Sequence, residues 1–303
     1  MITKILGKRK AIIDLGTNTF NLLVVDTSGQ NYKTVYAAKE GVGLGLGGIN
    51  DSRISADAMG RGIEALNRYK QKCSELGVEQ IHLFGTSAIR SAVNRNDFLD
   101  RVKSELQLDI EVVTGEREAQ LIYKGVSSGM VIDEPILIMD IGGGSTEFIQ
   151  ADSSGPVKFR SFEIGVSRIY QLFDFSDPFC KEDCLRIEDY LEKGTGDFFD
   201  GMNIKHLVGA SGSFETFYEL STESRYPEGD YVQLTRAEIM QSLDHIIGST
   251  LHEREKNEWI IPIRKKMAPV AAVKIRWIIL KLNIQHVTIS PFSLKEGVLQ
   301  TLT

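Results

Sequence analysis

The sequence predicts an α/β protein built of two domains of similar plan, each a mixed sheet with helices. The first observation behind this is a pattern that occurs twice. Ala11-Ile-Ile-Asp14-Leu-Gly16-Thr17-Asn18-Thr19 and Leu137-Ile-Met-Asp140-Ile-Gly142-Gly143-Gly144-Ser145-Thr146 each run an apolar segment into Asp, then a Gly/Ser/Thr-rich turn, then a second strand-like run. Asp14 and Asp140 stand 126 residues apart, a domain-sized period and not that of a solenoid. The second observation is length, since 303 residues suit about two domains. The third is element order: strands that first pair antiparallel and later alternate with helices give mixed sheets in α/β layers.

In the first half, the Asp14 hairpin leads to a strand over Tyr32–Ala38 and a glycine-rich stretch, Gly41–Gly48. Ser55 then caps a helix to about Leu76, with apolar residues at Ala58, Met59, Gly62, Ile63 and Leu66. A strand Gln80–Gly85, a loop Thr86–Asn96, a helix to Leu106 and a strand Asp109–Val113 follow. Glu116 to Ser128 reads as an amphipathic helix. The second half restarts with the Asp140 hairpin and a strand Lys158–Glu163, then helices near Val166–Phe173 and Lys181–Leu191. A strand Lys205–Val208 enters Gly209-Ala-Ser211-Gly212-Ser213, which opens another helix. Thr235-x-x-Glu238 and Ser293-x-x-Glu296 are capping boxes. A long apolar helix around Pro269–Leu282 feeds the strand His286–Ser290. The domains divide as 1–125 and 126–303, and the last helix, about 293–302, is expected to pack back on the first domain.

Composition excludes several classes. A net charge of −6 argues against nucleic-acid binding, which needs a basic face. No apolar run reaches the ~20 residues that span a bilayer. The segment Met1–Lys10 lacks the apolar stretch of a signal peptide, so a cytoplasmic protein is expected. Cys73, Cys180 and Cys184 form neither a disulfide framework nor a zinc set. There is no Walker A lysine loop, no Ser–His–Asp order and no His-rich metal cluster.

The turns carry the chemistry. Backbone N–H groups, hydroxyls and glycines between buried strands suit an anion, and the Asp before each turn is a hard oxygen ligand for the Mg²⁺ that accompanies phosphate. Two such turns would form a phosphate clamp, whereas either alone is also consistent with a plain glycine hairpin. The strand–helix turn at Gly209–Ser213 is a third phosphate-like loop, at a helix N-terminus. Gly43-x-Gly45-x-x-Gly48 has glycine-fingerprint spacing, but polar residues intervene before any helix, so it reads as a flexible loop and not as a dinucleotide site. Glu118 opens a helix, where it serves either as a general base or, with Glu116, as a complement to the helix dipole; position alone favours the dipole. Arg90, Arg117, Lys124, Arg160, Arg168 and Arg264-Lys265-Lys266 are basic groups that could line a site or simply face solvent.

Taken together, Asp14-Leu-Gly-Thr-Asn-Thr-Phe-Asn21, Gly85-Thr-Ser-Ala-Ile-Arg90, Gly115-Glu-Arg-Glu118-Ala-Gln-Leu-Ile-Tyr123, Asp140-Ile-Gly-Gly-Gly-Ser-Thr-Glu147, Gly209-Ala-Ser-Gly212 and Leu294-Lys-Glu-Gly-Val298 resemble the exopolyphosphatase and guanosine pentaphosphate phosphatase family. The resemblance covers essentially the whole chain. It implies two actin-, hexokinase- and Hsp70-like (ribonuclease H-like) domains with an interdomain cleft. It also implies that Glu118 activates water, that Arg90 binds phosphate, and that Asp140 and Glu147, with Asp14, hold Mg²⁺ or another divalent cation such as Mn²⁺. Gly16, Thr17, Asn18, Gly142, Gly143, Gly144, Ser145, Thr146, Gly209, Ser211, Gly212 and Ser213 would cradle phosphates. Asp140 thereby counts among the catalytic residues with Glu118 and Arg90. Departures from the family pattern include Gly43 in place of a basic residue, Arg117 in place of an acid, and Ser290-Pro-Phe292 before the last helix.

The expected function is hydrolysis of terminal phosphoryl groups of inorganic polyphosphate, with guanosine pentaphosphate as the alternative substrate. A small-molecule kinase using ATP and an inactive phosphate or nucleotide sensor are the readings from other classes. No nucleic-acid or membrane partner is expected, and a homodimer is plausible by analogy.

Overall fold

A computed structural model describes residues 9–27, 32–227 and 229–302. The basic N-terminal segment therefore lies largely outside the described residues. The chain forms two compact units: the first runs up to Thr114 and again from Val298, the second is Gly115–Gly297.

In the first unit the strands β1 (Arg9–Leu15), β2 (Thr19–Asp26) and β3 (Lys33–Gly41) form an antiparallel meander, followed by the helix α1 (Ala56–Glu75). β4 (Gln80–Gly85), the short helix α2 (Ser87–Ser91), α3 (Arg95–Leu106) and β5 (Ile110–Val112) complete it, and the sheet order is β3-β2-β1-β4-β5. β1 pairs antiparallel with β2 and parallel with β4. Central position explains why Ala11, Ile12 and Ile13 are all fully buried: a strand covered on both faces needs an apolar run, not alternation. α1 buries Ala58, Met59, Gly62, Ile63, Leu66, Tyr69 and Cys73, one stripe at helical spacing. Its N-cap Ser55 accepts from the Ala58 amide at 3.3 Å, as the sequence predicts.

The second unit repeats the plan. The helix α4 (Gly115–Ser127) precedes the meander β6 (Ile136–Ile141), β7 (Thr146–Asp152) and β8 (Gly155–Phe162). There follow α5 (Val166–Leu172), α6 (Lys181–Thr195), β9 (His206–Ala210), α7 (Gly212–Thr222), β10 (Val232–Thr235), α8 (Arg236–Ile247), α9 (Leu251–Lys256), α10 (Ala268–Lys281), β11 (His286–Ile289) and α11 (Leu294–Leu302), whose residues from Val298 on belong to the first unit. The sheet order is β10-β11-β9-β6-β7-β8, so β6, β9 and β11 stand where β1, β4 and β5 stand in the first sheet. The added edge strand β10 pairs antiparallel with β11. Phe148, Phe162, Phe198, Phe199 and Trp277 pack mostly edge to face in the core of this unit.

Four local differences from the sequence reading have physical causes. Arg90 lies on a helical turn, not in an open loop, because the Arg90 amide donates back to the Thr86 carbonyl at 2.8 Å. The whole of α4 packs on β7 and β8 and so belongs with the second unit, although the sequence division at 125/126 cuts through it. α9 was hidden in a polar stretch, and Thr250 and Glu253 close its capping box. The Gly41–Gly48 stretch is packed, not flexible, with Leu44 fully buried.

Candidate functional site

Asp14, Arg90, Asp140 and the Gly209–Ser213 turn lie at or just beyond the carboxyl ends of β1, β4, β6 and β9, where open α/β sheets take ligands, whereas Glu147 lies near the start of β7 and Glu118 on α4. The two hairpin turns are built alike, residue for residue. Asp14 lies opposite Asn21 in the β1–β2 register, and Asp140 lies opposite Glu147 in the β6–β7 register. Gly16 N–H donates to Thr19 O at 3.0 Å, and Gly142 N–H donates to Ser145 O at 3.0 Å. A Cβ on Gly16 would come within 2.8 Å of that Thr19 oxygen, so the turn closes only over glycine.

The carbonyls of both turns are occupied from behind. In the first unit Val42 N–H and Gly43 N–H donate to Asn18 O, each at 2.9 Å, and Gly45 N–H donates to Thr17 O at 3.0 Å. In the second, Gly165 N–H donates to Gly144 O at 3.0 Å and Ser167 N–H to Gly143 O at 2.8 Å. The donors of these bonds correspond at an offset of 122 residues, Gly43 with Gly165 and Gly45 with Ser167, and the acceptors at 126, Asn18 with Gly144 and Thr17 with Gly143. A trans peptide points N–H opposite to C=O. Carbonyls turned toward the backing segment therefore aim the amides of Asn18, Thr19, Gly144 and Ser145 the other way, which is the arrangement of an anion-binding nest. Approach is close: a Cβ on Gly45 would sit 2.4 Å from Thr17 Cγ2, and one on Gly165 would sit 2.2 Å from Gly143 O. The glycine-rich stretch that resembled a dinucleotide fingerprint is thus the backing of the Thr17 turn.

In the first unit Asp14 Oδ2 accepts from Asn21 Nδ2 at 3.0 Å. Thr86 Oγ1 donates to Leu15 O at 3.2 Å, fastening α2, and with it Arg90, beside the end of β1. Arg90 Nη1 also donates to Val113 O at 3.2 Å. In the second unit Asp140 and Glu147, register partners, are both buried. Burial pushes the Asp140 carboxyl up, against hydrogen bonds from Ser293 and Ser211 that pull it down. Ser293 Oγ donates to Asp140 Oδ2, while the Ser293 amide donates to Glu296 Oε2 at 2.9 Å. The expected capping box is therefore half diverted to the site. Glu147 Oε1 accepts from Ser161 Oγ at 2.6 Å. Among the described residues no group of three or more His, Cys, Asp or Glu gathers as a metal cage.

Gly209, Ser211, Gly212 and Ser213 form the turn from β9 into α7. Ser211 holds φ +81°, a left-handed conformation that costs a non-glycine residue about 1–3 kcal/mol, and its hydroxyl oxygen accepts from the Ile141 amide at 3.4 Å. A Cβ on Gly209 would lie 2.2 Å from the Phe214 ring. Ser211 makes no side-chain cap bond to α7.

Glu118 lies in the first turn of α4 and is 7% exposed, whereas Glu116 is exposed. A carboxylate serving only the helix dipole has no reason to be buried, so the two acids differ in environment. α4 crosses α11 with backbones touching: a Cβ on Gly125 would fall 1.9 Å from Ser293 O, and one on Gly297 1.7 Å from Leu121 O.

Sequence reading missed Ser293, Ser161 and Lys274 as neighbours of the site. Lys274, on α10, is fully buried, and its Nζ donates to Thr146 Oγ1 at 2.7 Å and to Ile164 O. Burial pulls its pKa down to about 7, opposed by the charge of Glu147. Its only sequence signal is a cation inside an otherwise apolar helix.

Comparison with known proteins identifies the family. The model of the Ppx/GppA phosphatase family matches residues 23–303. An exopolyphosphatase from Cytophaga hutchinsonii is 33% identical, with a TM-score of 0.93 over 97% of both chains. The Ppx/GppA enzyme of Aquifex aeolicus is 26% identical, with a TM-score of 0.79 over 97% of this chain and 99% of that one. The chain belongs to the Ppx/GppA phosphatase family.

Proposed function

We propose that this phosphatase is an exopolyphosphatase, removing terminal phosphoryl groups from inorganic polyphosphate with Glu118 as general base. The observation that carries the reading is the burial of Glu118 beside an exposed Glu116. A carboxylate buried in the first turn of a helix, where its neighbour at Glu116 is exposed, is a candidate for proton transfer to and from a bound water.

In this reading the outward amides of both turns and the first amides of α7 bind non-bridging oxygens of the chain. Arg90 offers paired donors to the terminal group and stabilises the charge that builds on it. Glu118 orients a water and takes its proton as the oxygen bonds to the terminal phosphorus. The bridging P–O bond breaks, and the products are orthophosphate and a polymer one phosphate shorter.

The donor set fits a hard divalent cation. Asp140 and Glu147 are buried carboxylates on register-paired positions, and burial is what raises the pKa of Asp140. Asp140 and Glu147, with Asp14, would hold Mg²⁺ or Mn²⁺. When bound, such an ion neutralises phosphoryl oxygens and polarises the scissile group.

The test is orthophosphate release in Mg²⁺ with long-chain polyphosphate and guanosine pentaphosphate side by side. Faster release from polyphosphate is expected, in line with the exopolyphosphatase named for the 33%-identical structure. Preference for the nucleotide would reassign the substrate. Transfer of label from ATP to an acceptor, without release to water, would replace hydrolysis by a kinase reaction.

A further inference from the structure

The backing segments are themselves held by a basic side chain in each unit. Arg61 reaches from α1 and donates through Nε to Val42 O at 2.8 Å and through Nη2 to Gly43 O at 2.9 Å. Lys274 reaches from α10 and donates to Ile164 O and to Thr146 Oγ1. Val42 and Ile164 stand at the same 122-residue offset that relates the donors of the bonds between backing segment and turn. The carbonyl one residue before the corresponding amides of Gly43 and Gly165 is thus gripped in both units by a cation from a helix.

The chemistry differs in a telling way. Arg61 is only partly buried and its fork takes two successive carbonyls. Lys274 is wholly buried, a costly position for an ammonium unless its partners need it. Its second bond goes to Thr146, the first residue of β7 and neighbour of Glu147. One amine therefore ties the backing segment to the exit of the turn it backs. A methionine of similar length would fill the volume within an apolar helix but provide neither bond.

We propose that Arg61 and Lys274 are equivalent positioning residues, each locking the segment that turns the amides of a phosphate loop outward. Neither touches substrate; each acts through the loop. The consequence for turnover rests on the polyphosphate reading above, but the effect on the loops does not.

Hydrogen exchange on the full chain tests this, comparing wild type with Lys274→Met and Arg61→Leu. Lys274→Met is expected to speed exchange of the Gly142 and Gly165–Arg168 amides by about tenfold or more, leaving Gly16 and Val42–Gly45 unchanged. Arg61→Leu is expected to give the reverse pattern. Orthophosphate release from polyphosphate should fall by about tenfold in each, with the melting temperature of Lys274→Met within a few degrees of wild type. Arg61→Lys should restore part of the protection at Val42–Gly45. Exchange that rises evenly over both units, or that leaves the backing amides unchanged in the folded variants, overturns the proposal. If Lys274→Met does not fold, Arg61→Leu and Arg61→Lys decide it by the same criterion. Local loosening in a protein whose wild type releases no orthophosphate would uphold the positioning role and reject the substrate reading instead.

Discussion

Arg90 and Gly165 show how much single residues carry here. Arg90 is held on a short helix beside β1, so its guanidinium is placed without ordering a flexible arm. Arg90→Ala is expected to lower kcat/KM by about 10–100-fold, the worth of one or two charge-assisted hydrogen bonds, with KM raised and kcat reduced. Steady-state kinetics check this, and unchanged values would remove Arg90 from the site. Glycines divide by their surroundings. Gly165→Ala would push a Cβ to 2.2 Å from Gly143 O, so loss of both stability and turnover is expected. Gly60, inside α1, should behave oppositely, because an added Cβ there would meet nothing within 4 Å. Gly60→Ala is expected to stabilise by up to about 1 kcal/mol in denaturant unfolding, with activity intact.

Among the elements, α6 carries a pH-dependent anchor. Burial opposes ionisation of Asp183, but bonds from the Ser176 hydroxyl, the Cys180 amide at 3.0 Å and Arg186 outweigh it and hold the carboxyl below its usual range. A depressed carboxylate stabilises the fold above its ordinary value near 4 and loses that contribution as pH falls through the lower folded value. Asp183→Asn should therefore cost about 1–3 kcal/mol at pH 7, with the gap to wild type closing below about pH 4. Urea unfolding across that range checks it; a gap that widens in acid would rule the anchor out. Elements of this kind were legible in the sequence where the signal is local. The Ser55 cap, the Thr235 box and the repeated Asp–turn hairpins follow from spacing alone. What stayed hidden depends on distant partners: Ser293 gives its hydroxyl to Asp140, 153 residues away, and Lys274 bonds to Thr146, 128 residues away. The Gly41–Gly48 stretch looked loose because its order comes from Thr17 and Asn18, not from itself.

For the whole molecule, the duplication is the organising fact. Two units of one plan present the same turn, the same glycine closure and the same backing bonds, and only the second places two buried acids at the paired positions, Asp140 and Glu147 against Asp14 and Asn21. Among the described residues no helix is long and apolar enough to cross a membrane. Everything proposed for the reaction turns on Glu118 activating the attacking water. The decisive assay is orthophosphate release from polyphosphate by Glu118→Gln in Mg²⁺, with polyphosphate affinity measured on the same protein. Turnover should fall by at least about 100-fold, with affinity within about twofold because the substitution keeps shape and polarity. Turnover equal to wild type would strip Glu118 of its role as the base.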